Sequence, residues 1–143
     1  MAFTGSFMCT SFKKELLSGT HVIATTSGDV FKMALYTSSA TLDATTTSYS
    51  STNEVTGTNY TAGGITLTNV DPASSGTTGY TQFANATFTN VTLTARGALI
   101  YNSSKGNKAV AVLDFGSDKT ATAGDFVVTM PTNSSTTALL RLA

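Results

Sequence analysis

From Val30 onward the chain repeats one pattern. Short runs of apolar and β-branched residues alternate at a period of two, and clusters of Gly, Asn, Ser and Asp separate them. Phe31, Met33 and Leu35 alternate with Lys32, Ala34 and Tyr36. Val91, Leu93 and Ala95 alternate with Thr92 and Thr94. Phe126, Val128 and Met130 repeat the pattern up to Pro131. A period of two puts every second side chain on one face of a strand, whereas a helix needs 3.6. Seven or eight such strands predict an all-β chain, with a spacing that suits a sandwich, jelly roll or barrel. At 143 residues the chain is one domain in length, long enough to bury a core without disulfides or metal. We therefore expect a single-domain β-sandwich or jelly roll over residues 22–143, carrying one N-terminal helix and arm over residues 1–21.

The punctuation places the connections. A polar loop runs from Thr37 to about Gly57, pinned by Leu42, Tyr49 and Val55, with a short strand expected over 49–55. That length is unusual in a compact domain and points to function or hidden structure. Gly63 and Gly64 lead into a strand at Ile65 and Leu67. Asp71–Pro72 opens a turn to Gly76, and residues 80–83 read as a short extended segment. Gly97 predicts a bulge or bend. Asn102–Asn107 reads as the connection of a hairpin between Leu99–Tyr101 and Ala109–Phe115. The apolar C-terminus, with Leu140 and Leu142 on one face, predicts a paired strand.

Residues 1–21 break the pattern. Met8, Phe12 and Leu16 share one helical face at i, i+4, i+8, and Cys9 and Leu17 widen the stripe. Ser6 stands where a cap would, and Gly19 where a C′ glycine ends a helix. The spacing predicts a helix over 7–18, behind a short arm bearing Phe3. Such an element either closes one end of its own core or docks on a neighbouring subunit.

Candidates for chemistry are few. His21 is the single histidine, and a zinc site wants three or four ligands, so a loop or packing role is expected. Cys9 stands alone, which excludes an intrachain disulfide and suits a buried free thiol. Asp114, Asp118 and Asp125 fall near one another in sequence but lack the EF-hand spacing; capping a turn is their simpler role. Asp114–Phe115–Gly116 spells a kinase triplet without the glycine-rich and catalytic loops that give it meaning, and reads as a strand running into a turn. Asn-x-Ser/Thr triplets begin at Asn59, Asn85, Asn90, Asn102 and Asn133, as expected of this composition. Tyr36, Tyr49, Tyr60, Tyr80 and Tyr101 fit strand edges or subunit contacts better than a sugar groove, since no Trp or Asp/Asn cluster completes one. No catalytic, cofactor or metal site is predicted.

Composition narrows the partners. Charged residues make up 11% of the chain, against roughly 25% in an average domain, and Thr and Ser take their place. Such a surface can be buried against a partner at low desolvation cost. The formal net charge is zero, so nothing steers the chain toward nucleic acid. No apolar run reaches the roughly 18 residues of a membrane span, and the N-terminus lacks the regions of a signal peptide. Synthesis in a cytoplasm without secretion is expected.

Three segments carry a likeness. They are Phe31–Thr47, Asn53–Gly64 and Ala98–Lys119, the last including Asn102-Ser-Ser-Lys-Gly-Asn-Lys-Ala-Val-Ala-Val-Leu-Asp-Phe-Gly. The chain, from about Met1 to Pro131, resembles small proteins encoded among the structural genes of tailed bacteriophages. The resemblance implies a non-enzymatic virion component, made in the host cytoplasm and oligomeric on the particle. Its partners would be the major capsid protein or neck and tail proteins. Capsid decoration (cement) is the first expectation and a neck or tail adaptor the second; a carbohydrate-binding module on a fibre is a rival of another class. Contacts are expected from Phe3, Phe7, Met8 and Phe12 in the arm and helix, and from Leu42 and Tyr49 in the long loop.

Overall fold

The computed structural model describes residues 3–143, so the first two residues of the expected arm lie outside the described residues. Two antiparallel sheets form a single all-β, sandwich-like domain. The larger has five strands in the order β1 (Phe7–Met8), β7 (Lys108–Val128), β6 (Ala86–Asn102), β2 (Phe31–Tyr36), β3 (Ile65–Thr66). The smaller has three, β4 (Ala73–Ser75), β5 (Thr78–Thr81) and β8 (Leu140–Leu142). One helix, α1 (Thr10–Leu17), follows β1.

The hairpin β6–β7 is the spine. A 3₁₀ turn, Ser103–Lys105, joins its strands. The Asn102 side chain caps that turn by accepting from the Ser104 N–H, and Gly106 (φ 65°) and Asn107 (φ 61°) bring the chain back. Gly and Asn are the residues that enter this left-handed region most readily. β2 pairs with β6 from Phe31↔Asn102 to Tyr36↔Gly97. Phe31, Met33 and Leu35 are buried as their alternation predicts, yet Ala34 and Tyr36 are buried too. The long loop folds over the second face of β2, and the Tyr36 hydroxyl donates to the Ser50 carbonyl at 2.6 Å.

The irregularity expected at Gly97 is present, and it is wide. Ala95 pairs with Lys119 and Gly97 with Asp114, so four residues of β7, 115–118, stand opposite the single Arg96. The turn expected at Asp114–Gly116 is thus a bulge inside one continuous strand. Arg96 Nε meets Asp114 Oδ1 at 3.2 Å, the Gly116 N–H donates to the same oxygen at 2.9 Å, and Gly116 takes φ 82°. Phe115 packs toward Phe126 with ring centroids 5.8 Å apart. Gly97 has a second reason to be glycine, because a Cβ there would meet the Phe3 ring and the Leu113 carbonyl at 2.5 Å.

The N-terminal expectation needs correction. Residues 7–8 are a strand, not the first turn of the helix: Phe7 pairs with Val112 and Met8 with Ala111, and the Cys9 N–H donates to the Val110 carbonyl. β7 offers this edge, so pairing overrides the helical periodicity. Cys9, not Ser6, is the N-cap, and the Ser6 hydroxyl instead accepts from the Asp114 N–H. The helix stops as foreseen. Gly19 (φ 73°) and Thr20 donate to the Leu16 and Glu15 carbonyls, the two bonds of a Schellman ending. Leu17 does not widen the buried stripe; it is 93% exposed. No separate strand forms over 49–55, where single bridges Ser48↔Lys108 and Tyr36↔Glu54 hold the loop.

Candidate functional site

Three side-chain constellations stand out, and two of them close the protein on itself. The first is built on Glu54, a buried residue of the long loop. Its Oε1 accepts from the Tyr49 hydroxyl at 2.5 Å. Its Oε2 accepts from the Tyr60 hydroxyl at 2.6 Å and from the Gly63 N–H at 2.8 Å. Tyr60 in turn accepts from the Leu35 N–H, and Tyr101 donates to the Gly63 carbonyl while its ring stacks on Tyr49 at 4.7 Å. Burial, and then the neighbouring carboxylate, push the phenols of Tyr36, Tyr49, Tyr60 and Tyr101 above their ordinary range. A carboxylate whose oxygens are taken by donors of its own chain is a pin that ties loop to sheet.

The second is a latch between α1 and the hairpin turn. Glu15 Oε1 meets His21 Nε2 at 2.9 Å, His21 Nδ1 meets Asn102 Nδ2 at 2.9 Å, and Asn102 Nδ2 also donates to Asp29 Oδ2 at 2.8 Å. Because Asn102 Oδ1 accepts from Ser104, its amide nitrogen must face the ring, so Nδ1 accepts and the proton sits on Nε2, donated to Glu15. Burial raises the Asp29 carboxyl, but the Val22 N–H, Asn102 and Lys105 outweigh it and hold its pKa below the usual range. His21 packs at 4.8 Å from Phe12, the packing role expected of it. Asn102 is fully buried, so its Asn-x-Ser triplet is closed to modification.

The third is open. Between α1 and the small sheet lies an apolar groove with a cavity volume of about 210 Å³. Leu16 and Ile23 from the helix side, and Leu140, Leu142 and Gly79 from the small sheet, are in its lining. Register places Gly79 beside Leu142 and Thr81 beside Leu140, so these four residues share one sheet face. Gly79 has no positive φ, and a Cβ there would meet nothing within 4 Å. The backbone does not demand this glycine; its missing side chain leaves the groove open. Leu142 beside it is 56% exposed.

The expected contact residues divide accordingly. Phe3, Phe12 and Leu42 are buried in the chain's own core, and Tyr49 is half-buried and committed to Glu54. Phe3, Phe12 and Leu42 thus keep little exposed surface, whereas part of Tyr49 stays open. Phe7 is half-buried on β1. Met8, also half-buried, lines the groove together with Phe12. Glu54 and Gly79 were missed. An isolated Glu in a polar loop carries no periodicity, but a Gly between Thr78 and Tyr80 is a signal that another group approaches a strand.

Cys9 is fully buried, and burial, reinforced by Asp43 and Glu15, pushes its thiol up to about 11. Asp114, Asp118 and Asp125 are spread along β7, and among the described residues no three His, Cys, Asp or Glu side chains converge to hold a metal. No described helix is long and apolar enough to cross a membrane. Comparison with protein-family models, curated proteins and solved structures finds no match to this chain.

Proposed function

We propose that this chain is a non-enzymatic structural protein of a tailed-phage virion that binds and stabilises neighbouring subunits, in the first place as a capsid decoration protein. The observation that carries the reading is the apolar groove beside α1, set in a surface otherwise rich in hydroxyls and poor in charge. Such a surface loses little hydration free energy when another subunit covers it, and many weak copies on a symmetric shell sum to high avidity. The three segments that resemble phage structural proteins also come together: β2, the Glu54 loop and the tip of the β6–β7 hairpin form one pinned unit. That unit offers a rigid base from which a contact surface can be presented.

A neck or tail adaptor is the second reading, because the same surface serves a ring as well as a shell. The carbohydrate reading loses ground, since four of the five tyrosines turn their hydroxyls into the protein. Imaging of the intact particle is the deciding experiment. Copies on the order of hundreds across the shell support decoration, and about a dozen at the portal support the adaptor. Absence from the particle overturns both.

A further inference from the structure

We infer that the latch around His21 is an acid-operated switch: a proton taken up on Nδ1 releases the tip of the β6–β7 hairpin while the ring stays bound to α1. The ring is enclosed, with none of its side chain exposed. Its two nitrogens face opposite kinds of partner. Nε2 donates to the Glu15 carboxylate, and Nδ1 accepts from the Asn102 amide. Asn102 cannot offer its oxygen instead, because that oxygen accepts from the Ser104 N–H at 3.0 Å and the nitrogen also donates to Asp29. The latch thus suits one protonation state of the ring. An imidazolium donates from both nitrogens, so a proton on Nδ1 sets donor against donor at 2.9 Å.

Relief comes when Asn102 turns its oxygen to the ring. That withdraws the oxygen from Ser104, which uncaps the 3₁₀ turn, and the nitrogen from Asp29. The loss spreads to the start of β2, since the Val30 N–H donates to Ser104 Oγ at 2.8 Å and the Ser103 N–H to the Val30 carbonyl at 2.9 Å. The surrounding charges hold the protonated ring in place. Glu15 on α1 touches it, and Asp29, ahead of β2, lies one side chain further away. Lys108 of β7 stands 3.6 Å from Glu15 and Lys105 of the turn 3.6 Å from Asp29, and they offset part of the attraction. From the small sheet, Tyr80 and Arg141 line the same groove as His21, but the Arg141 guanidinium is bonded to the Ala138 and Thr136 carbonyls. Phe12 and Phe31, the ring's aromatic neighbours, carry no charge. Glu15 therefore keeps its hold on the ring in both states, and only the hairpin side of the latch opens.

The inference goes beyond the virion reading and does not depend on it. Nuclear magnetic resonance of the whole chain tests it between about pH 8 and 5, the range in which imidazole changes charge. At the upper end the ring nitrogens should report a proton on Nε2 and none on Nδ1. As Nδ1 gains its proton, hydrogen exchange at Val30, Ser103 and Ser104, taken relative to the intrinsic rate at each pH, should speed up about fivefold, the equivalent of the roughly 1 kcal/mol held in a capping bond. The amides of α1 should keep their protection. In His21→Gln, which takes up no proton, the tip should exchange alike at both ends of the range. A bare Nε2 at the upper end, a tip that does not respond, or a tip that loosens at a pH other than the ring's overturns the switch. So does a response that persists in His21→Gln, or a loss of protection throughout the chain. Should His21→Gln fail to fold, the match between ring titration and tip exchange in the natural chain decides alone.

Discussion

The region around the hairpin turn and the region around the small sheet use opposite strategies. At the first, β2 and the β6–β7 tip are buried on both faces, and two polar networks, around Glu54 and around His21 and Asn102, consume the buried polar groups. At the second, β4 is exposed throughout, β8 keeps only Leu140 buried, and apolar surface stands open beside Gly79. The difference separates two demands on one fold. Satisfied polar networks fix a unique arrangement, whereas an unfilled apolar groove adds nothing to monomer stability and suits a partner.

Alkali should produce the largest effect, and in the pinned region. The four raised tyrosines keep their protons in the fold after the unfolded chain, with phenols near 10, has lost them. Stability is therefore full below pH 10 and falls as pH rises beyond it, by about 1.4 kcal/mol per unit for each phenol still protonated in the fold. Phenolate absorbance should appear together with loss of the β-sheet circular dichroism signal. Phenolate signal from these four in a still-folded chain would break the comparison. Phe12→Ala should cost about 3–5 kcal/mol, the range for emptying a buried aromatic site, measured by denaturant unfolding; a value near zero would return the helix to the status of an external anchor.

Glu54→Ala should cost about 3 kcal/mol, since it strands two hydroxyls and one N–H. The same unfolding assay reads it, and hydrogen exchange should locate the loosening in residues 37–64. In the open region, Leu142→Ser should change monomer stability by no more than about 0.5 kcal/mol, as expected of an exposed site. A loss of several kcal/mol there would mean that the small sheet is as tightly built as the large one.

How much of this was legible in the sequence depends on whether a residue acts through period or through a distant partner. Phe31, Met33, Leu35, Val91, Leu93, Phe126 and Val128 announced their buried faces by alternation, and Asn102–Asn107 announced its turn by composition. Gly19 ended α1 where its position implied. Phe7 and Met8 misled because their spacing fits a helix, while the edge that claims them belongs to residues 111–112, far along the chain. Tyr36 looked outward because nothing local says that a loop will cover it. Arg96 and Asp114 gave no hint of a bulge, since register is settled between strands and not within either. The groove was the least legible feature, because it is made by a side chain that is missing.

The pairing of β1 also has a consequence in time. Val112 lies 105 residues after Phe7, so β1 leaves the ribosome long before the strand it pairs with. The hairpin β6–β7, closed by a turn of a few residues, can zip locally as soon as it emerges, whereas closing a loop of that length is slow. Phe3, Cys9 and Phe12 are thus made well before β7 and buried late. Until β7 emerges, the chain carries apolar side chains that end almost fully buried, and a chaperone has its longest task there.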